Sequence, residues 1–371
     1  MEFTIDRDTF LKSLGHANGI IEKKTTLPIL SNVLIEAKDS KIKIIATDLD
    51  IIYFEEILPK EVKKEGSTTV SANTLYDILR KLQSNTNVNL NLLNSNKLKL
   101  VSENSKFNLL CLPSDNFPLS DEIVDQKEFE VDPKKLLRLL NKTKISISND
   151  ETRHYLNGIY LHKTKLENKS FLCGVSTDSH RLSSSSLEIG SDAHFESIIL
   201  PKKTIFQLIS LLEQCNKPIK ISNNKSKIKF KMDTGILVSK VIDGRFPDYN
   251  KVIPKDNDKI LEIKLNEFRN SIDRVTTVSS DRKEGLKMLI TKESLQLSVN
   301  SPNSGEGIEN INAKFNSDNL NISFNSRYLM DINSNIEHES IIINLKDPSA
   351  PVLIKDLSDK NSFHVVMPMK I

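Results

Sequence analysis

The sequence predicts an α+β protein built from three similar domains, each with two helices packed on antiparallel sheets. A strand-to-helix segment occurs three times along the chain, at residues 3–11, 129–137 and 261–268. Between its copies lie runs in which apolar and polar residues alternate, such as residues 42–46 and 228–232. Alternation of this kind is typical of half-buried strands, so helices and strands are expected in every third of the chain.

The first helix of each domain is expected to follow a short strand. The candidate N-caps are Asp6, Asp132 and Asn266, and Pro133 occupies the first helical position of the second copy. Asp and Asn accept hydrogen bonds from the free N–H groups of a first helical turn, and proline is favoured just inside it. Each copy therefore predicts an amphipathic helix.

A second helix is predicted in each domain, at residues 70–79, 200–209 and 324–332. The domain ends also agree, since Phe-Pro occurs at residues 117–118 and 246–247. We expect domains at residues 1–125, 126–252 and 253–371, with polar, charged linkers near 120–127 and 249–258. Thr47-Asp48 holds the place in the first domain that Thr177-Asp178 holds in the second.

Composition narrows the classes of function. The 371 residues include 52 basic and 49 acidic side chains, a net charge of +3, so any basic surface must be local. No apolar run is long enough to span a bilayer, and the N-terminus does not read as a secretory signal. The three cysteines lie far apart, which favours buried thiols over disulfides or zinc. A cytoplasmic location is expected.

Residues 176–182 form a polar stretch after an apolar strand, and two interpretations are open. Asp178, Ser179 and His180 could serve as acid, nucleophile and base, but such triads are normally assembled from distant segments. A structured binding turn is the favoured alternative. The chain has 11 glycines and no phosphate loop, HExxH or paired-cysteine pattern, so no cofactor and no metal site are predicted.

Five short motifs occur in an order and spacing that resemble the bacterial DNA polymerase III beta subunit family, the sliding clamps. They lie at residues 26–30, 155–158, 177–182, 243–249 and 365–371, and the resemblance covers the whole chain. It implies a non-catalytic processivity factor, a head-to-tail homodimer that forms a ring of six domains around duplex DNA. The implied partners are duplex DNA of any sequence, DNA polymerase III alpha subunit, the clamp loader and other clamp-motif proteins of replication and repair, and no membrane.

The resemblance assigns DNA contacts to basic and aromatic residues near the inner helices. Phosphate contacts of this kind carry no sequence information, which suits a protein that slides. From the residues alone, solvated surface lysines remain the alternative. The implied DNA contacts are Lys24, Arg80, Lys142, Arg153, His154, Tyr155, Lys202 and Lys203, and at His154 the family often has an aromatic residue.

The resemblance also implies a pocket for short peptide motifs of partner proteins. Methionines at its rim suit a surface that accepts several related peptides. The implied pocket residues are Leu156, Thr177, Ser179, His180, Arg181, Leu182, Pro247, Lys251, Val252, Val366, Met367, Pro368 and Met369. Ser179 departs from the usual glycine and Lys251 from a frequent arginine, so the resemblance leaves the peptide preference open.

Ring closure is implied to join an edge of the first domain to an edge of the third. Opposite charges around an apolar centre favour one register. The implied interface residues are Lys97, Lys99, Lys106, Phe107, Leu109, Thr277, Val278, Glu306 and Glu309, and Thr277 is more polar than the family's usual residue. Two other functions compete with the clamp: an enzyme using Asp178, His180 and Arg181, and a protein-binding scaffold with no DNA role.

Overall fold

The computed structural model describes residues 1–22, 26–119, 127–279 and 285–370. The chain divides into two compact units. The first unit is Met1–Lys134, Asp192–Glu196 and Phe206–Val241, and the second is Lys135–Ser191, Ser197–Ile205 and Ile242–Ile371. The domain boundaries expected from the sequence stay predictions.

Six α-helices lie in the described ranges, two in each predicted domain, as the sequence predicted. None of them is long and apolar enough to cross a membrane. The helices are α1 Arg7–Asn18, α2 Ala72–Lys81, α3 Pro133–Lys144, α4 Lys202–Leu212, α5 Leu265–Val275 and α6 Ser326–Asn333.

The strands repeat the same order three times within the described residues, with one extra strand, β5, in the first domain. The first domain contains β1 Glu2–Asp6, β2 Asn32–Lys38, β3 Lys41–Thr47, β4 Ile51–Ile57, β5 Glu61–Lys64, β6 Gly66–Ser71, β7 Asn87–Asn94, β8 Lys97–Ser102 and β9 Ser105–Leu112. The second contains β10 Phe129–Val131, β11 Gly158–Leu166, β12 Lys169–Thr177, β13 Arg181–Ile189, β14 Ile198–Pro201, β15 Ile219–Asn223, β16 Lys227–Met232 and β17 Gly235–Lys240. The third contains β18 Lys259–Lys264, β19 Gly285–Ile290, β20 Ser294–Ser301, β21 Gly305–Phe315, β22 Leu320–Asn325, β23 Ser340–Leu345, β24 Val352–Asp356 and β25 Asp359–Val366.

Each unit is built on one antiparallel sheet that runs across a boundary between predicted domains. In the first unit β17 pairs with β4, so that Val238 lies opposite Ile52. In the second unit β25 pairs with β13, so that Val365 lies opposite Leu182. The last strand of one domain therefore completes the sheet of the domain before it. The α+β prediction of helices on antiparallel sheets is confirmed.

The helices are held by their apolar faces. In α5, Phe268, Ile272 and Val275 recur at helical spacing and are at most 3% exposed, within the core that β18 to β25 also line. The same spacing in α1 buries Phe10 and Leu14 completely. Tertiary burial of these faces, more than helix propensity, fixes where the helices form.

Two of the three predicted helix caps are confirmed. Thr9 N donates to Asp6 Oδ1 at 2.9 Å, and Lys134 N donates to Asp132 Oδ1 at 2.8 Å. The third was wrong, because α5 begins one residue before Asn266 and its N-cap, Lys264, makes no side-chain bond. Leu265, the first helical residue, is buried, and Asn266 is the second residue of the helix.

A buried polar network lies inside the second unit beneath β25. His364 is 1% exposed, and its Nδ1 lies 2.8 Å from Ser183 Oγ, which lies 2.7 Å from Ser146 Oγ. Burial, with the positive charge of Lys142 nearby, lowers the pKa of His364 from its ordinary 6.5 to about 3. The imidazole is therefore neutral in the folded protein across the physiological pH range.

We predict that His364 makes the protein acid-sensitive. Between pH 6.5 and 3 the unfolded chain binds a proton at this position that the folded protein does not. The free energy of unfolding therefore falls as the pH is lowered through this window, by up to about 1.4 kcal/mol per pH unit from this group. Thermal unfolding from pH 4.5 to 7.5 measures the stability of the wild type and of His364→Gln. The difference between their free energies of unfolding should narrow towards low pH.

Exposed His194→Gln is the matched control and should follow the wild-type profile. A His364→Gln protein that loses stability on acidification as steeply as the wild type would assign the acid sensitivity to other groups.

Candidate functional site

The turn between β12 and β13 is fixed by its own polar side chains. Thr177 Oγ1 donates to Arg181 O at 2.7 Å, and Ser179 N donates to Thr177 Oγ1 at 3.1 Å. The Asp178 carboxylate accepts from the backbone N–H groups of His180 and Arg181, each at 3.0 Å. Thr and Asp at these positions replace the strand ladder with local hydrogen bonds, so the segment turns sharply.

This geometry does not support the catalytic interpretation. Asp178 Oδ1 bonds backbone amides, and its second oxygen accepts from Arg181 Nε at 3.1 Å. Ser179 Oγ accepts from Arg153 Nη1 at 2.6 Å. The carboxylate and the hydroxyl are therefore engaged in holding the turn, instead of forming a relay through an imidazole.

Arg181 is held rigidly beneath the turn. Besides Asp178, its guanidinium donates to Asp331 Oδ2 at 2.6 Å, and its central carbon lies 4.3 Å from the centroid of the Tyr328 ring. The side chain is only 9% exposed. A charge-assisted bond and a cation–π contact together fix its orientation, so Arg181 forms a preorganised wall.

A cleft of 230 Å³ opens beside this turn, entirely within the second unit. Its apolar floor is continuous with a cluster that includes Leu182, Val365 and the deeper Leu156. Met367 and Val252, 40% and 48% exposed, stand at its rim. The cleft is lined by Thr177, Ser179, His180, Arg181, Leu182, Pro247, Asp248, Tyr249, Val252, Val365 and Met367.

Eight of the residues assigned to the pocket line this cleft, and five do not. Leu156 lies below the floor at 2% exposure. Val366 is wrong by one residue, because alternation along β25 directs Val365 to the cleft and Val366 into the core around α5. Exposed Lys251 lies 3.8 Å from the Asp248 carboxylate. Pro368 and Met369 line a separate hollow of 410 Å³ that also contains Lys287 and Asn321.

Three residues that line the cleft, Asp248, Tyr249 and Val365, were not predicted from the sequence. Tyr249 OH lies 2.9 Å from His162 Nε2, and burial raises the pKa of the phenol to about 12. Burial also lowers the pKa of His162, so this contact joins two neutral groups. Asp248 and Tyr249 belong to the motif at residues 243–249, whose spacing could have identified them.

The assigned DNA contacts lie at separate positions. Arg153 pairs with Asp150 at 2.8 Å, and the His154 ring lies 3.1 Å from Asp243 O, with half-buried Tyr155 beside it. Lys202 contacts Asn149 Oδ1 at 2.5 Å. Lys202 and Lys203 are the first two residues of α4. Arg80 lies in the last turn of α2 and pairs with Asp77 at 3.1 Å, and Lys24 lies outside the described residues.

Lys142 is not available to DNA, which corrects its assignment. The residue is 2% exposed, and its ammonium lies 3.2 Å from Asp356 Oδ2 and 3.1 Å from Glu337 Oε1. Burial would raise the pKa of Asp356, but hydrogen bonds from Ser358, Glu337 N and Lys142 lower it to about 2. Removing Lys142 from this site would leave a buried carboxylate without its partner charge.

Two strands present free edges within their described residues. β9 pairs with β8 over residues 105–110 but with β6 only at Cys111 and Leu112. β21 pairs with β20 over residues 305–312 and with β18 only over residues 313–315. Leu110 and Ile308, 85% and 55% exposed, lie on these free stretches and were missed by the sequence analysis.

The residues assigned to the interface lie on and around these edges. Lys106, Phe107 and Leu109 are on β9, with Lys97 and Lys99 on neighbouring β8. Glu306 and Glu309 are on β21, and Glu309 Oε2 accepts from Arg274 Nε at 3.0 Å. Thr277 and Val278 form a short 3₁₀ helix after α5, with Val278 partly buried against the adjoining core.

Comparison with known proteins identifies the family. Models of the N-terminal, central and C-terminal domains of the DNA polymerase III beta subunit match residues 1–121, 130–248 and 250–370. The beta sliding clamps of Caulobacter vibrioides and Escherichia coli are 34% and 30% identical to the chain, over 100% of each protein.

Solved structures agree over the full length. The sliding clamp of Bartonella birtlesii bound to griselimycin superposes with a TM-score of 0.96 at 38% identity, and covers 100% of both chains. The Pseudomonas aeruginosa clamp bound to griselimycin gives 0.94 at 30% identity, again over 100% of both chains. The chain therefore belongs to the DNA polymerase III beta subunit family, the bacterial sliding clamps, which are non-catalytic processivity factors of DNA replication.

Proposed function

We propose that two copies of this chain close into a ring around duplex DNA by pairing β9 of one copy with β21 of the other. The threefold repeat carries this proposal. In each domain the third long strand, β4, β13 or β21, occupies the same place, and the last strand is β9, β17 or β25. The last strand β17 pairs with the third long strand β4, and the last strand β25 pairs with the third long strand β13. Among the described strands, this leaves the last strand β9 and the third long strand β21 without a pairing of this kind.

The chemistry of the two edges fits this pairing. β9 carries Lys106 beside Phe107, and β21 carries Glu306 and Glu309 around Ile308. Leu109 of β9 and Val238 of β17 lie at the same distance before a Phe-Pro, so they occupy equivalent positions. Val238 is buried, and pairing β9 with β21 would bury Leu109 in the same way. A head-to-tail contact of this kind forms a closed ring when its rotation fits, and it removes both free edges.

The proposed ring would hold DNA through local basic residues. Arg80, Arg153, His154, Tyr155, Lys202, Lys203 and Lys24 are the proposed contacts, and the domains are proposed at residues 1–125, 126–252 and 253–371. A net charge of +3 supports loose, sequence-independent attraction instead of a tight grip. We place this activity in the bacterial cytoplasm.

The cleft beside residues 177–182 is proposed to bind short peptides of the DNA polymerase III alpha subunit, the clamp loader and other replication and repair proteins. Its apolar floor and its flexible Met367 suit a large aliphatic or aromatic side chain. A few hundred Å² of apolar contact at about 25 cal/mol per Å², less the cost of ordering the peptide, corresponds to roughly micromolar affinity. Partners bound at this strength can exchange.

Removing apolar side chains from the β9 edge should weaken the dimer. We predict that Phe107→Ala with Leu109→Ala shifts the protein at micromolar concentration from twice the 42.0 kDa chain mass towards a single chain. Light scattering measures the mass. The control is Leu166→Ala, which removes a side chain 65% exposed at the end of β11 and should leave the dimer intact. A double variant that remains a full dimer would contradict the proposed interface.

Truncating the cleft rim should weaken ligand binding. Met367→Ala keeps the Met367 N to His180 O bond of 2.8 Å but removes the apolar side chain. We expect griselimycin to bind this variant at least about tenfold more weakly, a loss of about 1.4 kcal/mol, by calorimetry. Leu357→Ala, in an exposed turn, is the control. Unchanged affinity in Met367→Ala would exclude the cleft as the binding site.

Neutralising the start of α4 should reduce attraction to DNA. We predict that Lys202→Ala with Lys203→Ala weakens binding to a duplex at low salt and lowers the slope of log affinity against log salt by about one per lost phosphate contact. Fluorescence anisotropy across a salt series measures both quantities. Lys169→Ala, at the start of β12, should leave the slope unchanged. Equal slopes for all three proteins would remove this pair from the DNA contacts.

A further inference from the structure

The first unit contains a turn with the same hydrogen bonds as the turn at residues 177–182. Thr47 Oγ1 donates to Ile51 O at 2.9 Å, and Leu49 N donates to Thr47 Oγ1 at 3.0 Å. Asp48 accepts from the backbone N–H groups of residues 50 and 51, at 3.0 and 2.7 Å. Leu49 has φ 79°, against 78° for Ser179. The Thr-Asp repeat in the sequence therefore builds the same turn twice.

The strand beside the turn is also the same. Lys240 N donates to Asp50 O at 2.8 Å, which matches the 2.8 Å bond from Met367 N to His180 O. Val238 lies opposite Ile52 as Val365 lies opposite Leu182. A hollow of 140 Å³ opens at the equivalent place, with Ile52 and Val238 in its lining. It is a smaller version of the peptide cleft, made from residues of the first unit.

The hollow has an apolar lining and a charged rim. Leu49 and Leu119, 45% and 57% exposed, extend its apolar surface into solvent. Leu49 also has a left-handed backbone, which costs a non-glycine residue about 1–2 kcal/mol. A leucine that is both strained and exposed does little for the fold, whereas it adds contact area for a ligand.

Charge distinguishes this hollow from the cleft. Lys240 stands where the cleft has Met367, and Lys227 adds a second amine to the lining. Lys240 Nζ lies 3.0 Å from Asp50 Oδ1, but the two side chains are 55% and 73% exposed. A pair this exposed contributes little to stability, so a ligand carboxylate can replace Asp50 at small cost.

We propose that this hollow is a second peptide site, which binds an extended segment of a partner protein carrying one aliphatic side chain beside a carboxylate. The smaller volume favours a branched aliphatic anchor over an aromatic one. Lys227 and Lys240 favour an acidic residue next to the aliphatic anchor of the peptide. The cleft has Met367 at this position and has no such preference. The inference rests on the peptide-binding role proposed for the cleft, because the equivalence of the two turns is part of its argument. One ring would then hold two partners with different motifs on the same copy of the chain.

Methyl NMR of the full-length protein, labelled at Ile, Leu and Val methyls, tests the proposal. The probe is the peptide acetyl-Glu-Leu-Asp-Val-amide, and griselimycin is added separately to report on the cleft. We expect the peptide to give saturable shifts at Leu49, Ile52 and Val238, with a dissociation constant from high micromolar to millimolar. Acetyl-Gln-Leu-Asn-Val-amide, which lacks the carboxylates, should bind at least about fivefold more weakly.

Leu49→Asn provides the matched variant, because asparagine tolerates a left-handed backbone and the turn is kept. It should weaken binding of the peptide at least about tenfold and leave the griselimycin shifts at Leu182 and Val365 unchanged. Met367→Ala should weaken binding of griselimycin and leave binding of the peptide unchanged.

The outcomes separate the two proposals. Griselimycin shifts at Leu182 and Val365 without peptide shifts at Ile52 and Val238 would overturn the second site alone. Absence of griselimycin shifts at the cleft would count against the proposed function. Contacts in the free protein between the Leu49 methyls and another segment of the chain, or shifts that grow with protein concentration, would show the hollow already occupied and overturn the inference. Equal affinity for both peptides would overturn the carboxylate selection.

Discussion

Backbone pairing between consecutive domains is the constraint on which the rest of the structure depends. A single domain of about eight short strands leaves its third long strand without a neighbour on one side, and a free strand edge is a row of unsatisfied donors and acceptors. The last strand of the next domain satisfies it, as β17 does for β4 and β25 for β13. The same rule applied to β9 and β21 leads directly to a second copy of the chain.

The binding cleft is a consequence of that pairing. The turn at residues 177–182 ends the pairing between β12 and β13. The chain continues past the end of β25 beside this turn, and Met367 N donates a hydrogen bond to His180 O there. The floor of the cleft comes from residues of β13 and β25. Its Arg181 wall is fixed by Asp178, Asp331 and the Tyr328 ring. A rigid wall beside a flexible methionine suits ligands that differ in sequence but share an anchor. The first unit repeats the geometry with lysine in place of methionine, which changes the ligand and keeps the architecture.

Three basic side chains of α3 and α5 pair with carboxylates of the second unit. Lys142 is neutralised by Asp356 and Glu337, Arg138 by Asp359, and Arg274 by Glu309. The Lys142 pair with Asp356 is buried and removes one positive charge from the surface, whereas Arg138 and Arg274 are 37% and 59% exposed. The near balance of 52 basic and 49 acidic residues agrees with an attraction to DNA weak enough to permit sliding.

The sequence by itself determined the repeat, the α+β class, the two helices per domain, the Asp6 and Asp132 caps and most of the cleft. The helices, strands and caps depend on patterns within about ten residues, such as the alternation of a strand or the spacing of a helix. The repeat depends on the recurrence of such patterns along the chain, and the cleft residues were implied by the family resemblance. Tertiary structure decided which lysine is buried, as Lys142 shows, since its partners lie some 200 residues further along the chain. It also decided that Val365 and not Val366 faces the cleft, because the register of β25 against β13 is set by long-range hydrogen bonds that no local pattern records.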